Sequence, residues 1–339
     1  MGEEFNVIGV SGPGGAAHAS VVVIAAAVLI SLAGCATSPP LAATAEPSVS
    51  PPPTSASWPP QLPETGSIDA CLEWSVAVAP FNGQQVTDPA QLTRVDCRNM
   101  TSLDGIERLM ELPALTELAI VDSPALTELA PLARLADHPA LTRLVLLSVP
   151  GVTDLAPLAE LDNITYLDYS GTDAAEGGGS SLKGSSLADI SPLAEMRGLR
   201  DLALTWSDAL TDLTPVAQMT ELDTLYLDAI PLLTDLGPVG GLTGLTKLTV
   251  QRSPSLSDLT PLAGLSGLKS LYLSYNLGIT DLTPLAGLTG LTELLLYGNT
   301  SLTDVSPLAG LTNLTTLGLL DSSVTDVSAL AVLPNLMIM

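Results

Sequence analysis

From about residue 92 onward, leucines return at a fixed interval and bring the same polar marks with them. Three stretches show the frame: Asp258-LTPLAGLSGLKSLYLSYNLGI, Asp281-LTPLAGLTGLTELLLYGNTSL and Asp304-VSPLAGLTNLTTLGLLDSSV. Aligned on the proline, the units fall at Pro131, Pro157, Pro192, Pro215, Pro238, Pro261, Pro284 and Pro307, with Ala329 in the equivalent place. The step is 23 residues from Pro192 to Pro307, 26 after Pro131 and 35 after Pro157. Within a unit, a piece such as Leu271-Tyr272-Leu273 alternates as a short strand does. Ser or Thr, then Pro, then Leu-Ala predicts a helix start, with Thr283 as its cap and Pro284 at the first helical position. The following AGLTGL is long enough for only a turn or two. No unit can bury its leucines alone, so neighbours must stack. Ten strands are expected, ending at Cys97, Ile120, Leu146, Tyr169, Leu204, Leu227, Val250, Leu273, Leu296 and Leu319. At about 4.8 Å per parallel strand the sheet would run roughly 45 Å.

The recurrent frame I/L-T-D-L-x-P-L-x-x-L-x-x-L-x-x-L-x-L resembles the internalin-like class of bacterial leucine-rich-repeat proteins, over roughly residues 68–339. The opening segment Val86-TDPAQLTRVDCRNMTSLDGIERL is similar to that class's cap leading into its first repeat. The resemblance implies an α/β solenoid: a leucine-rich-repeat horseshoe with about ten parallel strands on the concave face, short helical or 3-10 segments on the convex side and an N-terminal helical cap. It also implies a surface protein that binds other proteins. Two departures stand out. The class's buried Asn column survives only at Asn276 and Asn299, with Ser123, Ser207 and Ser253 standing in elsewhere. The 23-residue unit adds one residue after the strand, so that edge is expected to be looser.

Residues 1–35 read as a leader. Val21 to Ala33 is an apolar run of 13 residues, too short for a comfortable membrane span and suited to a signal-peptide core. It ends in Leu32-Ala33-Gly34-Cys35, which resembles the bacterial lipobox and makes Cys35 the expected lipidation site. Met1 to Ser20 departs from a usual leader, with no Lys or Arg and with Glu3 and Glu4. Residues 36–66, rich in Pro, Ser and Thr, read as a disordered spacer. Residues 67–91 read as a helical cap: Ile68 to Val78 is amphipathic and Ser67 is its expected N-cap. The repeat domain spans 92–339, with a Gly/Ser-rich insertion at 173–186. Lipidation of Cys35 leaves Cys71 and Cys97, an even pair in an oxidising compartment; one lies on the cap helix and the other at an inward strand position, so a disulfide is expected. The chain stops at Leu336-Met337-Ile338-Met339 without a polar cap, so self-association through the C-terminal end, or cover by a partner, is expected.

Aromatics make up only 3% of the 339 residues, so the core must be aliphatic and regular. A net charge of −25 with 11 scattered Lys and Arg excludes a nucleic-acid partner. His18 lies in the leader and His138 in the three-residue insertion Ala136-Asp137-His138, where a solvated loop residue is expected. No Ser-His-Asp, Cys-His or metal-ligand spacing can be assembled, and Gly177-Gly178-Gly179 lacks a phosphate-loop ending. No enzyme activity, cofactor or metal is therefore expected. The column Asp154, Asp189, Asp212, Asp235, Asp258, Asp281, Asp304 and Asp326, preceded by Glu128, offers carboxylates to Ca²⁺ or, as the stronger reading, to turn N–H groups.

The candidate site is the concave face. Outward strand positions carry Tyr166, Asp168, Asp201, Tyr226, Asp228, Lys247, Tyr272 and Glu293, with Tyr297 just beyond and Trp206, Arg252 and Tyr275 along the adjoining edge. Tyr, Trp and Arg are the residue types that carry interface energy. The expectation is an extracytoplasmic, lipid-anchored cell-surface protein that binds a protein partner there. A carbohydrate or cell-wall polymer binder using the same tyrosines, and a spacer without a specific ligand, are the alternatives.

Overall fold

The computed structural model of the chain describes residues 66–78, 86, 88–172 and 184–339. The leader, Cys35, the spacer and most of the insertion lie outside them. Eleven strands form one parallel sheet in chain order. They are β1 (Arg94–Arg98), β2 (Glu117–Val121), β3 (Arg143–Leu147), β4 (Tyr166–Ser170), β5 (Asp201–Thr205), β6 (Thr224–Asp228), β7 (Lys247–Gln251), β8 (Ser270–Tyr272), β9 (Glu293–Leu295), β10 (Thr316–Gly318) and β11 (Met337–Ile338). The chain folds as a leucine-rich-repeat solenoid. The sheet has one strand more than the ten expected, because Met337 and Ile338 pair with Thr316 and Leu317.

Every pair keeps the register of the repeat, so a given outward position forms a continuous row. Tyr166, Asp201, Thr224, Lys247, Ser270 and Glu293 share the first row. Val145, Asp168, Ala203, Tyr226, Thr249 and Tyr272 share the next. The residues between them, such as Leu167, Leu202 and Leu225, point inward and are at most 1% exposed. Tyr169 joins them as expected, with its hydroxyl donating to the Val152 carbonyl at 2.7 Å.

The segments that return the chain are 3-10 turns rather than α-helices. Thr283 is not a cap: it opens the turn Thr283–Leu285, and its N–H donates to Asp281 Oδ1 at 2.7 Å. The whole aspartate column works this way. Asp154, Asp189, Asp212, Asp235, Asp258, Asp281, Asp304 and Asp326 each accept the N–H two residues ahead at 2.6–2.8 Å. The proline that follows fits because its position has no donor to lose.

Inside the solenoid, Asn276 and Asn299 are fully buried. Asn276 Oδ1 accepts the Ser253 N–H at 2.9 Å, and its Nδ2 donates to the carbonyls of Val250 and Leu273. Asn299 Oδ1 accepts the Asn276 N–H at 2.7 Å. Ser123 substitutes at the N-terminal side, its Oγ accepting the Met100 N–H and donating to the Val121 carbonyl.

The extra residue after each strand does not loosen that edge. It takes the left-handed conformation in Asn99, Asp122, Ser148, Trp206, Ala229, Arg252, Tyr275, Gly298 and Asp321. The ladder continues through it, for example from Trp206 N–H to the Asp228 carbonyl at 2.9 Å and from Tyr275 N–H to the Tyr297 carbonyl at 2.7 Å.

His138 is also corrected: it is 2% exposed, not solvated. Its Nδ1 accepts the N–H groups of Ala140 and Leu141, and its Nε2 faces the Leu109 carbonyl at 3.2 Å. Of the three extra residues His138 turns inward, because its imidazole satisfies backbone groups that the longer loop would otherwise strand, while Asp137 stays exposed. Of the insertion, Gly184 to Ser186 lie within the described residues; Gly184 N–H donates to Asp208 and Ser185 bridges to Ser207.

The first repeat is covered by helix α1 (Ile68–Val78). Ser67 Oγ caps it by accepting the Ala70 N–H at 3.2 Å. Ile68, Cys71 and Leu72 face the core, Ser75 Oγ accepts the Asp96 N–H, and Cys71 is disulfide-bonded to Cys97 on β1. Among the described residues, no helix is long and apolar enough to cross a membrane.

Candidate binding surface

The outward rows bring the expected residues into three groups. In the first, Tyr166 and Asp168 stand on β4 beside Asp201 on β5. Arg143 on β3 lies over the Tyr166 ring at 3.7 Å and donates to Glu117 at 3.1 Å. Arg94 bridges Asp96 and Glu117 at 2.7 and 2.5 Å. Arg94, Asp96, Glu117 and Arg143 were not among the expected site residues. The signal that finds them is the register itself, since they fill the same outward rows in the first three strands.

The second group joins three successive repeats. Arg252 pairs with Asp228, the Tyr226 hydroxyl donates to the same Asp228 Oδ2 at 3.1 Å, and the guanidinium lies over the Trp206 ring at 5.4 Å. Asp228 is 3% exposed, and its Oδ1 is buried without a hydrogen-bond partner. Burial pushes its pKa up, while Arg252 and Tyr226 pull it back. The third group lies on β7 to β9: Lys247 sits 5.1 Å from the Tyr272 ring centroid, and the Tyr272 hydroxyl donates to Glu293 at 2.5 Å.

Tyr275 and Tyr297 extend this group to the edge, each against a glycine. A Cβ on Gly298 would meet the Tyr275 ring at 2.4 Å, and one on Gly318 would meet the Tyr297 ring at 2.6 Å. These two glycines seat the rings, and Tyr275 remains 49% exposed. Trp206, Arg252 and Tyr275 occupy left-handed positions at φ 55, 48 and 61°. Glycine would sit there without strain; a non-glycine residue costs on the order of 1 kcal/mol. Large side chains are held at that edge against a local preference.

Residues 266–310 match the family model "Leucine Rich repeats (2 copies)". No curated protein matches the chain. Among solved structures, an internalin from Listeria monocytogenes is 26% identical, with 79% of this chain and 93% of that one covered and a TM-score of 0.45. Internalin C2 from the same organism is 27% identical, covering 79% and 92%, with a TM-score of 0.43. TLR13, solved in complex with single-stranded RNA, is 22% identical over 66% of this chain and 31% of that one, with a TM-score of 0.50; that likeness concerns the fold alone.

A cleft of about 770 Å³ lies beside α1, lined by residues including Asp69, Glu73, Asp88, Arg108 and Glu111. It gathers none of the expected site residues. Among the described residues, no group of three or more His, Cys, Asp or Glu side chains is arranged to hold a metal ion.

Proposed function

We propose that this chain is an extracytoplasmic binding protein that docks another protein on the outward, concave face of its sheet. One observation carries this reading: Tyr166, Tyr226 and Tyr272 stand in the outward rows of the sheet, and Trp206, Arg252, Tyr275 and Tyr297 line its adjoining edge, held there in left-handed positions or against glycine seats. These residue types dominate binding energy when desolvated in an interface.

The test is crosslinking on intact cells with wild type and with the double variant Tyr226→Ala, Tyr272→Ala. The double variant is expected to lose the captured partner while keeping the far-ultraviolet circular dichroism of the wild type. Capture at wild-type levels would move the site elsewhere. Capture of a glycan by Tyr275 and Tyr297, which offer adjacent rings at the edge, would favour a carbohydrate ligand instead; a glycan array separates the two.

The tether belongs to the same proposal. The apolar run ending at Cys35 supports lipid attachment and a cell-surface address. Detergent-phase partitioning that persists in Cys35→Ser would refute it. The exposed Met337, Ile338 and Met339 support pairing with a second copy, which a monomeric mass in sedimentation at high concentration would rule out.

A further inference from the structure

The outward face carries the triplet Tyr-Leu-Asp twice: Tyr166-Leu167-Asp168 on β4 and Tyr226-Leu227-Asp228 on β6. In both, the leucine points into the core and the aspartate is almost fully covered, at 4% and 3% exposure. The second triplet shows what such a carboxylate binds. Arg252 brings a guanidinium to Asp228, beside the Tyr226 hydroxyl and over the Trp206 ring.

The first triplet is surrounded differently. No Arg or Lys among the described residues forms an ion pair with Asp168. Arg143 acts on it through space, but its guanidinium is engaged by the Tyr166 ring and by Glu117. Along the row, Asp168 is flanked by Val145 and Ala203, and Tyr226 follows Ala203. Only the short Ala203 side chain stands in the row between Asp168 and Tyr226, which are two strand spacings, about 10 Å, apart. The two are close enough that the Asp168 charge acts on the Tyr226 hydroxyl. The charged and titratable groups facing Asp168 are Arg143 on β3, Glu117 on β2, Tyr166 on its own strand, Asp201 on β5 and Tyr226 on β6. Tyr166 and Arg143 offset only part of the hydration this covered carboxylate has lost, and no directly bonded cation completes the compensation among the described residues.

We propose that Asp168, floored by Val145 and Ala203 and walled by Tyr166 and Tyr226, is the receptor for an arginine side chain of the protein partner. This deepens the concave-face reading and rests on it. A guanidinium there makes charge-assisted hydrogen bonds to the carboxylate and lies against a tyrosine ring, much as Arg252 meets Asp228 and the Trp206 ring two strands over. The net charge of −25 draws a basic segment toward the face.

The experiment titrates the full chain with N-acetyl-arginine methylamide and with its neutral isostere, N-acetyl-citrulline methylamide, at fixed ionic strength, followed by ¹⁵N–¹H correlation spectra. The arginine compound is expected to shift the Ala203 and Tyr226 amides saturably, about tenfold more tightly than the citrulline compound. Asp168→Asn should erase that preference, and Glu160→Gln, an exposed carboxylate on the Ala156–Glu160 turn away from the outward rows, should keep it. Equal binding of the two compounds by wild type overturns the proposal without any variant. So does a preference that survives in Asp168→Asn, or one lost equally in Glu160→Gln. In the cell-surface capture, loss of the partner by the double tyrosine variant but not by Asp168→Asn overturns the arginine receptor alone. Retention by both overturns the binding face itself.

Discussion

At the scale of single residues, the outward face is governed by how deeply each polar group is covered. Asp168 is pushed up to about 6, chiefly by burial, with Tyr166 and Arg143 pulling it down. In an unfolded chain the same carboxyl titrates near its ordinary value of about 3.9. Between those values the folded protein holds a proton that the unfolded chain has released. What Asp168 contributes to stability is therefore full below about pH 4 and is lost as pH rises through about 6. Asp168→Asn, neutral throughout, removes that decline. Its advantage over wild type in urea unfolding should grow by on the order of 2 kcal/mol between about pH 4 and pH 7.5. An advantage that does not change with pH would mean the carboxylate is not desolvated in solution. The aspartates of the turn column behave oppositely. Hydrogen bonds from the turn hold Asp189, Asp212, Asp258, Asp281 and Asp326 below the ordinary value, so what they add is lost as pH falls through that lowered range.

Little of this was visible in the residue types alone. The sequence places Asp168 and Asp228 at outward positions, where a carboxylate is normally solvated. Their burial depends on their neighbours: the register sets Val145 and Ala203 beside one, and the Tyr226 hydroxyl and the Arg252 guanidinium reach over to the other. His138 was misread for a related reason. A three-residue insertion looks like a surface loop until the backbone groups it must satisfy are known.

At the scale of elements, each strand and turn follows from a local rule. The alternation of Leu-x-Leu sets the strands, and Asp-x-Ser/Thr-Pro sets the turns that return the chain. The asparagine ladder ties one repeat to the next where leucine cannot, because it answers backbone groups inside the core. Asn276→Ala strands the Ser253 N–H and the carbonyls of Val250 and Leu273 together. The loss in denaturant unfolding should be about 2–4 kcal/mol, more than the same change at the exposed Asn313. A difference below about 0.5 kcal/mol would show that water replaces the amide. The fold class was legible because a 23-residue leucine period leaves few alternatives. The choice of 3-10 over α turns, and the left-handed residue after each strand, were not legible, since both depend on how much chain must fit between buried leucines.

At the scale of the molecule, stability is a chain of nearest-neighbour contacts, and the first repeat has a neighbour on one side only. Helix α1 supplies the other side and is stapled by Cys71–Cys97, 26 residues apart. Closing a loop of that length restricts the unfolded chain by about 3 kcal/mol. Reduction, or Cys71→Ala with Cys97→Ala, should therefore speed hydrogen exchange in β1 and β2 while leaving β6 to β8 little changed. Uniform acceleration along the sheet would mean that the solenoid unfolds as one unit.

The unbroken register has one more consequence. Because every repeat from β5 to β10 returns to the same rows after 23 residues, the protein is a graduated scale. Excising one such unit would slide two recognition groups toward each other by a single strand spacing, about 4.8 Å, and change nothing inside either. Distance between contact points on this face is thus a quantity that recombination can alter in whole steps, separately from their chemistry.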